Sequence, residues 1–151
     1  WHHGDFAEIK TTRGFVIHGR SDTTLNPGGV RLGTAEIYSE VEKFKEIKES
    51  IVVGQSWDND VRIVLFIVMN AKFFLTEDLL KKIKIQIRKN ASPRHVPSKV
   101  IVVRDIPRTK SGKIVELAVK NTIEGNNIKN KEALANPKAL EQFKNLKELS
   151  I

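Results

Sequence analysis

Apolar positions along this chain fall into short alternating or continuous runs, separated by polar stretches marked with glycine and proline. Phe6 to Lys10 and Phe15 to Gly19 flank Thr11-Thr12-Arg13-Gly14 and predict a hairpin. After the polar stretch Arg20 to Thr24, Pro27-Gly28-Gly29 between Leu25 and Leu32 predicts a second, tight hairpin. Thr34 stands where a helix cap belongs, with Ile37, Val41 and Phe44 at one-face spacing behind it. Ile51-Val52-Val53 and the run Val61 to Val68 are the strongest strands, and Trp57-Asp58-Asn59-Asp60 between them predicts antiparallel pairing. The second run is apolar on both faces and is expected at the centre of a sheet. Thr76, followed by Glu77 and Asp78, opens a helix whose apolar face is Leu79, Leu80, Ile83 and Ile87. Pro93 and Pro97 punctuate the way into a strand at Lys99 to Val103. The loop Pro107 to Lys113 then leads to a helix from about Ile114 to Glu124, and a last helix is expected from about Lys138 to Leu149.

That order predicts an α+β fold, with a short antiparallel hairpin and a mixed, roughly three-stranded sheet flanked by helices. The first hairpin is too small to be stable alone, which puts a domain boundary at Arg20 to Asp22. The length of 151 residues, with 40% hydrophobic and 29% charged side chains, suits one domain with a real core. No apolar run approaches the roughly 20 residues of a spanning helix, which excludes an integral helical membrane protein. The sequence holds no cysteine, so disulfides, thiolate chemistry and cysteine-ligated zinc are excluded together. The same absence fits a reducing compartment, and a cytoplasmic location is expected. The chain opens on Trp1 with neither an initiator Met nor a signal-peptide pattern, and is expected to be a piece of a longer polypeptide.

Charge adds an asymmetry. The net charge is +8, and residues 76–151 carry 17 of the 26 basic side chains but only 8 of the 18 acidic ones. Such an excess suits phosphate-bearing partners such as nucleotides or coenzymes, and equally a solvated lysine-rich surface. Gly112-Lys113 resembles the end of a P-loop, yet that motif needs a glycine where Pro107 stands and a hydroxyl where Ile114 stands. What survives is a short loop where Arg108, Lys110 and Lys113 converge at a helix start, with Ser111 and Gly112 permitting close backbone approach to phosphate. The four histidines, His2, His3, His18 and His95, show no metal-ligand spacing, and no metal site is expected. There is no Gly-x-Ser-x-Gly elbow to support a serine hydrolase. Single-strand nucleic-acid binders interleave aromatics with cations, whereas Phe143 is the sole aromatic after residue 75. A basic module holding duplex backbone stays open as the alternative class.

Four motifs then occur in one order: Gly4-Asp5; Gly19-Arg20-Ser21-Asp22; Gly29-x-Arg31-x-Gly33 with Glu36-Ile37 behind; and Pro107-Arg108-Thr109-Lys110-Ser111-Gly112-Lys113-Ile114. Their order and spacing resemble the closing third of the acyl-adenylate-forming enzymes, which include acyl-CoA synthetases, luciferases and peptide-synthetase adenylation domains. Trp1-His2-His3-Gly4-Asp5, Asn26 to Arg31, Ala91 to Pro97 and the tail Asn130 to Pro137 are most similar to the acetoacetate-activating members. The resemblance covers nearly the whole chain.

It implies two half-reactions at one site. A carboxylate attacks the α-phosphate of MgATP to give an acyl-adenylate, and the CoA thiol then displaces AMP after a small, mobile C-terminal domain has rotated. By resemblance Lys113 serves the first half-reaction, Asp5 and Arg20 hold the ribose hydroxyls, and Arg31 meets the ATP phosphates. Asp22 is the implied hinge, Gly29 lets the pantetheine arm pass close to the backbone, and Arg88 meets the CoA nucleotide phosphate. Residues 1–21 would end a large N-terminal domain and residues 22–151 would form the lid. The implied partners are acetoacetate or another short carboxylic acid, ATP with Mg2+, CoA and the chain's own N-terminal domain, without membrane or nucleic acid. No metal ligand of this segment is implied, and the segment alone is expected to be inactive. The chemistry suits the assignment, since attack of one anion on another needs positive charge bridging carboxylate and phosphate oxygens. Two positions depart from the family pattern: His3 stands where threonine is frequent, and Asn26 stands where many members carry a second lysine.

Overall fold

A computed structural model describes residues 5–12, 14–20 and 23–151 of the chain. Strands β1 (Asp5–Ile9) and β2 (Phe15–Arg20) pair antiparallel, as their sequence pattern requires. The second expected hairpin is reduced to one rung. Leu25 and Leu32 exchange both backbone hydrogen bonds, at 3.0 and 2.8 Å, around a 3₁₀ turn at Pro27–Gly29.

Helix α1 (Ala35–Val41) follows and buries Ile37 and Val41, but Thr34 does not cap it through its hydroxyl. Thr34 is itself in the helical region (φ −84°, ψ −20°), so its side chain is not aimed at the next free N–H groups. Phe44 lies beyond the helix and is half-buried. At helix α2 (Glu77–Asn90) the expected cap does form. Thr76 is extended there, and its hydroxyl accepts from the Leu79 N–H at 3.2 Å. Leu79, Ile83 and Ile87 are buried, with Leu80 at the margin.

Strands β3 (Ile47–Trp57), β4 (Asp60–Met69) and β5 (Lys99–Val102) form one mixed sheet in that order, β3 antiparallel and β5 parallel to β4. The Asp58-Asn59 turn has φ of 49° and 57°, the left-handed pair that matches strand twist in a two-residue hairpin loop. β3 runs well beyond Ile51 to Val53, because ladder bonds to β4 continue through the polar residues Glu49, Ser50, Gln55 and Ser56. Parallel strands need a crossover, and α2 supplies it between β4 and β5.

The central strand is buried on both faces, as its composition demands. Ile63, Leu65 and Ile67 pack with α1, α2 and Leu25, whereas Val64, Phe66 and Val68 pack with α3 (Glu116–Ile123) and the C-terminal segment. Glu40, nearly buried, accepts from Lys43 at 2.7 Å and from the Gln86 and Asn90 amides, both at 2.9 Å, so it ties α1 to α2. Tyr38, also on α1, donates to Glu116 of α3 and accepts from the Val52 N–H at 3.0 Å; burial pushes its phenol well above the usual range. The α+β class with its three-stranded mixed sheet therefore stands. Among the described residues no helix is long and apolar enough to cross a membrane.

The last expected helix is corrected. Residues Pro137–Phe143 and Lys147–Leu149 are separate 3₁₀ segments, split by extended Lys144 and by Asn145 at φ 51°. Tertiary contacts override the helical spacing here. Gln142 accepts from the Arg104 N–H at 2.7 Å and donates to the Asp105 and Ala139 carbonyls, and Phe143 meets Phe66 edge-on with centroids 4.9 Å apart.

Phe143→Ala removes a fully buried ring from that contact and should cost about 3–5 kcal/mol in chemical denaturation. A second expectation concerns pH. Val61 and Gly28 both donate backbone N–H bonds to the Asp60 carboxylate and hold it below the usual aspartate range. A lowered folded value means that this charge stabilises fully above pH about 4 and is lost as the pH falls through the folded value. Carbon-detected NMR titration should place the Asp60 midpoint below the ordinary aspartate value of about 3.9, and a midpoint at or above that value would contradict the clamp.

Candidate functional site

Lys113 sits on a short, tightly stitched hairpin. Arg108 and Ile114 form a bridge, the Thr109 N–H donates to the Lys113 carbonyl at 2.8 Å, and the Gly112 N–H donates to the Thr109 carbonyl at 2.8 Å. The turn forces Gly112 to φ 84°, a left-handed conformation that favours glycine. Thr109 Oγ1 accepts from the Lys113 N–H at 3.1 Å and lies 2.9 Å from Ser111 Oγ. Lys110, Ser111 and Lys113 are exposed, and among the described residues no carboxylate pairs with the Lys113 ammonium. At the base Arg108 reaches the Gly112 carbonyl at 3.0 Å and Glu49 Oε1 at 2.7 Å. The loop thus presents an unneutralised ammonium on a fixed platform.

Gly29 lies on the other turn, at φ 76°, and a Cβ built on it would meet nothing within 4 Å. Its backbone therefore borders open space, as a narrow ligand passing alongside requires. The Gly28 N–H holds Asp60 at 2.8 and 3.1 Å, which locks this turn onto the end of the β3–β4 hairpin. Beside it opens a cleft of about 440 Å³ lined by Pro27, Trp57, Asp60, Arg62, Arg94 and Ser98. The Arg62 guanidinium stacks 3.7 Å over the Trp57 ring. Asp58 also reaches the cleft, so its walls carry both signs.

Sequence reasoning missed Trp57, Arg62 and Arg94. A signal existed for the first two. A two-residue turn at Asp58-Asn59 makes residues 57 and 62 diagonal neighbours on one sheet face, which is where an aromatic and a cation meet. Arg94 had none, because it reaches the cleft only through the irregular Pro93–His95 turn.

The two loops stand at opposite ends of β3. Glu49 marks the Lys113 end and Trp57 the Gly29 end, eight residues apart in one strand, or about 26 Å at a rise of roughly 3.3 Å. Arg31 is exposed next to the Leu25–Leu32 rung. Arg88 is exposed in the last turn of α2 and is not among the residues lining the cleft. Asp5 and Arg20 are directly paired positions in the β1–β2 register, so the hairpin brings their backbones side by side. Asp22 lies outside the described residues.

Known proteins resemble the chain along its length. It is 61% identical over 149 residues to the acetoacetyl-coenzyme A synthetase of Rhizobium meliloti (strain 1021), in an alignment covering 99% of this chain and 23% of that protein. The acetoacetyl-CoA synthetase of Xenopus tropicalis is 47% identical over 151 residues, with 99% and 22% covered. The solved acetoacetyl-CoA synthetase from Streptomyces lividans superposes with a TM-score of 0.84 at 40% identity, over 95% of this chain and 22% of that one. The chain spans less than a quarter of the length of these relatives. Residues 36–113, just over half the chain and ending on the lysine of the stitched loop, match the family described as AMP-binding enzyme C-terminal domain. By that match the chain belongs to the family of AMP-binding enzyme C-terminal domains.

Proposed function

We propose that this chain is the C-terminal part of an ATP-dependent acyl-CoA synthetase that activates acetoacetate, or a similar short acid, and passes it to CoA. Residues 22–151 form the lid in this reading, residues 1–21 end the large N-terminal domain, and Asp22 is the hinge. The observation that carries it is the placement of the Lys113 loop and the Gly29 turn at opposite ends of one hairpin, on anchor residues Glu49 and Trp57 about 26 Å apart along β3. A domain so built can offer either end to a single reacting centre, but not both at once. Movement of the whole domain about a hinge resolves that conflict, and the stitching of the loop agrees with it: the domain moves, and the loop rides on it.

In the first half-reaction a carboxylate oxygen attacks the α-phosphorus of MgATP, the bond to the bridging oxygen breaks, and pyrophosphate leaves. The Lys113 ammonium spans the two anions and offsets the charge gathering between them. Asp5 and Arg20 hold the ribose, and Arg31 faces the phosphates. In the second half-reaction the CoA sulfur, having given up its proton, attacks the acyl carbonyl carbon, the acyl carbon–oxygen bond breaks, and AMP leaves with the bridging oxygen and the electron pair. Gly29 leaves room for the pantetheine arm. The adjoining cleft offers the Arg94 guanidinium to the CoA phosphates, with Arg88 as an outlying phosphate contact, while Arg62, bonded to Gln55 and to the Leu149 and Ile151 carbonyls, backs one face of the Trp57 ring in its wall. Acetoacetate as substrate rests on the likeness to the synthetases named above. A cysteine-free sequence and the use of ATP and CoA support a cytoplasmic setting.

In the full-length enzyme Lys113→Ala should lower acid-dependent ATP–pyrophosphate exchange by roughly 10²–10³-fold while supplied acyl-adenylate is still converted to thioester. Gly29→Leu should do the reverse, retaining exchange and losing thioester formation. Arg94→Ala should raise the KM for CoA about tenfold, the effect of one lost charge-assisted contact, with exchange unaltered. Wild-type enzyme that exchanges with no acid, or a Lys113→Ala enzyme that loses both half-reactions equally, would overturn the assignment.

A further inference from the structure

The family match stops at Lys113, yet the loop that carries this lysine is fastened by a segment well beyond it. Asn136 is the principal fastening. Its Oδ1 accepts from the Arg108 N–H at 2.8 Å, and its amide nitrogen donates to Asp105 Oδ2 at 2.8 Å and the Ile106 carbonyl at 2.9 Å. One side chain thereby fixes the rising stem of the loop. The adjoining backbone does the same: Leu134 bridges Thr109, Ala133 accepts from the Lys110 N–H at 3.2 Å, and the Ala135 N–H donates to Arg108 at 2.9 Å. Arg108 to Lys110 therefore run between the descending stem on one side and the tail on the other. From below, Arg108 ties the Gly112 carbonyl, directly before Lys113, to Glu49 on β3.

We infer that Asn136 and Glu49 are positioning residues for Lys113, acting through Arg108 to set where the ammonium stands when the lid closes. The inference rests on the reading of Lys113 as the lysine of adenylation. Neither residue is needed to hold the segment down, because Leu134, Leu140 and Phe143 already bury it against the sheet. The Glu49–Arg108 pair is a quarter to a third exposed, a setting in which ion pairs contribute little to stability. Their value lies in geometry. A lysine that must bridge two anions in the transition state has little tolerance for displacement, and a shift of about 1 Å costs on the order of 10² in rate.

The test uses the full-length enzyme with Asn136→Ala and Glu49→Gln, each alone and combined with Lys113→Ala. Each single variant should lower the kcat of acid-dependent ATP–pyrophosphate exchange by roughly 10–10²-fold. The KM for ATP and thioester formation from supplied acyl-adenylate should hold in both, and Glu49→Gln should leave the melting temperature unchanged. Combined with Lys113→Ala, neither should lower exchange further, since the group it positions is already gone. The inference is overturned if thioester formation falls in step with exchange, if exchange is unchanged, or if the double variants fall below Lys113→Ala. Should Asn136→Ala fail to fold, Glu49→Gln decides alone. If Lys113→Ala itself leaves exchange intact, the adenylation reading has failed and the inference falls with it. The two failures are thus told apart by the lysine variant.

Discussion

The antiparallel pairing of β3 with β4, apolar on both of its faces, is the constraint on which the remaining features depend. Because β4 alternates Ile63, Leu65 and Ile67 with Val64, Phe66 and Val68, two separate layers must cover it. Helices α1 and α2 form one layer, and α3 with the C-terminal segment forms the other. A strand pair clamped from both sides behaves as a rigid bar. Whatever is attached to its two ends keeps a fixed separation, and the ends are where the loops with chemical character sit.

Those attachments are polar and shallow, in contrast to the bar. Gly28 meets Asp60 at one end, and Arg108 meets Glu49 at the other, each a cross-link from a loop to a strand terminus. Burial of rings such as Phe66 and Phe143 supplies stability, whereas these bonds supply orientation. The basic excess of the second half follows the same division. Lys110 and Lys113 project at one end, and Arg94 faces the cleft at the other. In the proposed reaction both ends meet phosphates, those of ATP at one and those of CoA at the other, which accounts for a surplus of cations without a stacking platform for nucleic acid.

Much of the fold could be read from spacing alone. The two-faced run at Val61 to Val68 announced a central strand, Asp58-Asn59 its hairpin, and Thr76 with the Leu79, Ile83, Ile87 face a capped helix. Local signals failed where distant contacts decide. Thr34 has a capping side chain on a backbone already helical, and the helical spacing of Leu140, Phe143 and Leu146 is overruled by the bonds of Gln142 to Arg104 and Asp105. The candidate site divides in the same way. Lys113 and Gly29 stand in dense local motifs that mark them. Asn136, Glu49 and Arg94 gain their meaning only from neighbours brought close by folding, and a lone Asn before Pro137 carries no sign of the loop it fastens.

The central claim is that the two ends of one rigid hairpin serve a single reacting centre in turn. Hydrogen exchange on the full-length enzyme tests it most directly, with mass analysis of the segments 107–114 and 24–33. With ATP and an unreactive acid analogue the account predicts slowed exchange at 107–114 and none at 24–33. With a stable acyl-adenylate analogue and CoA, the protection should move to 24–33 and leave 107–114. Protection of both segments in the same state, or no change in either, would contradict it.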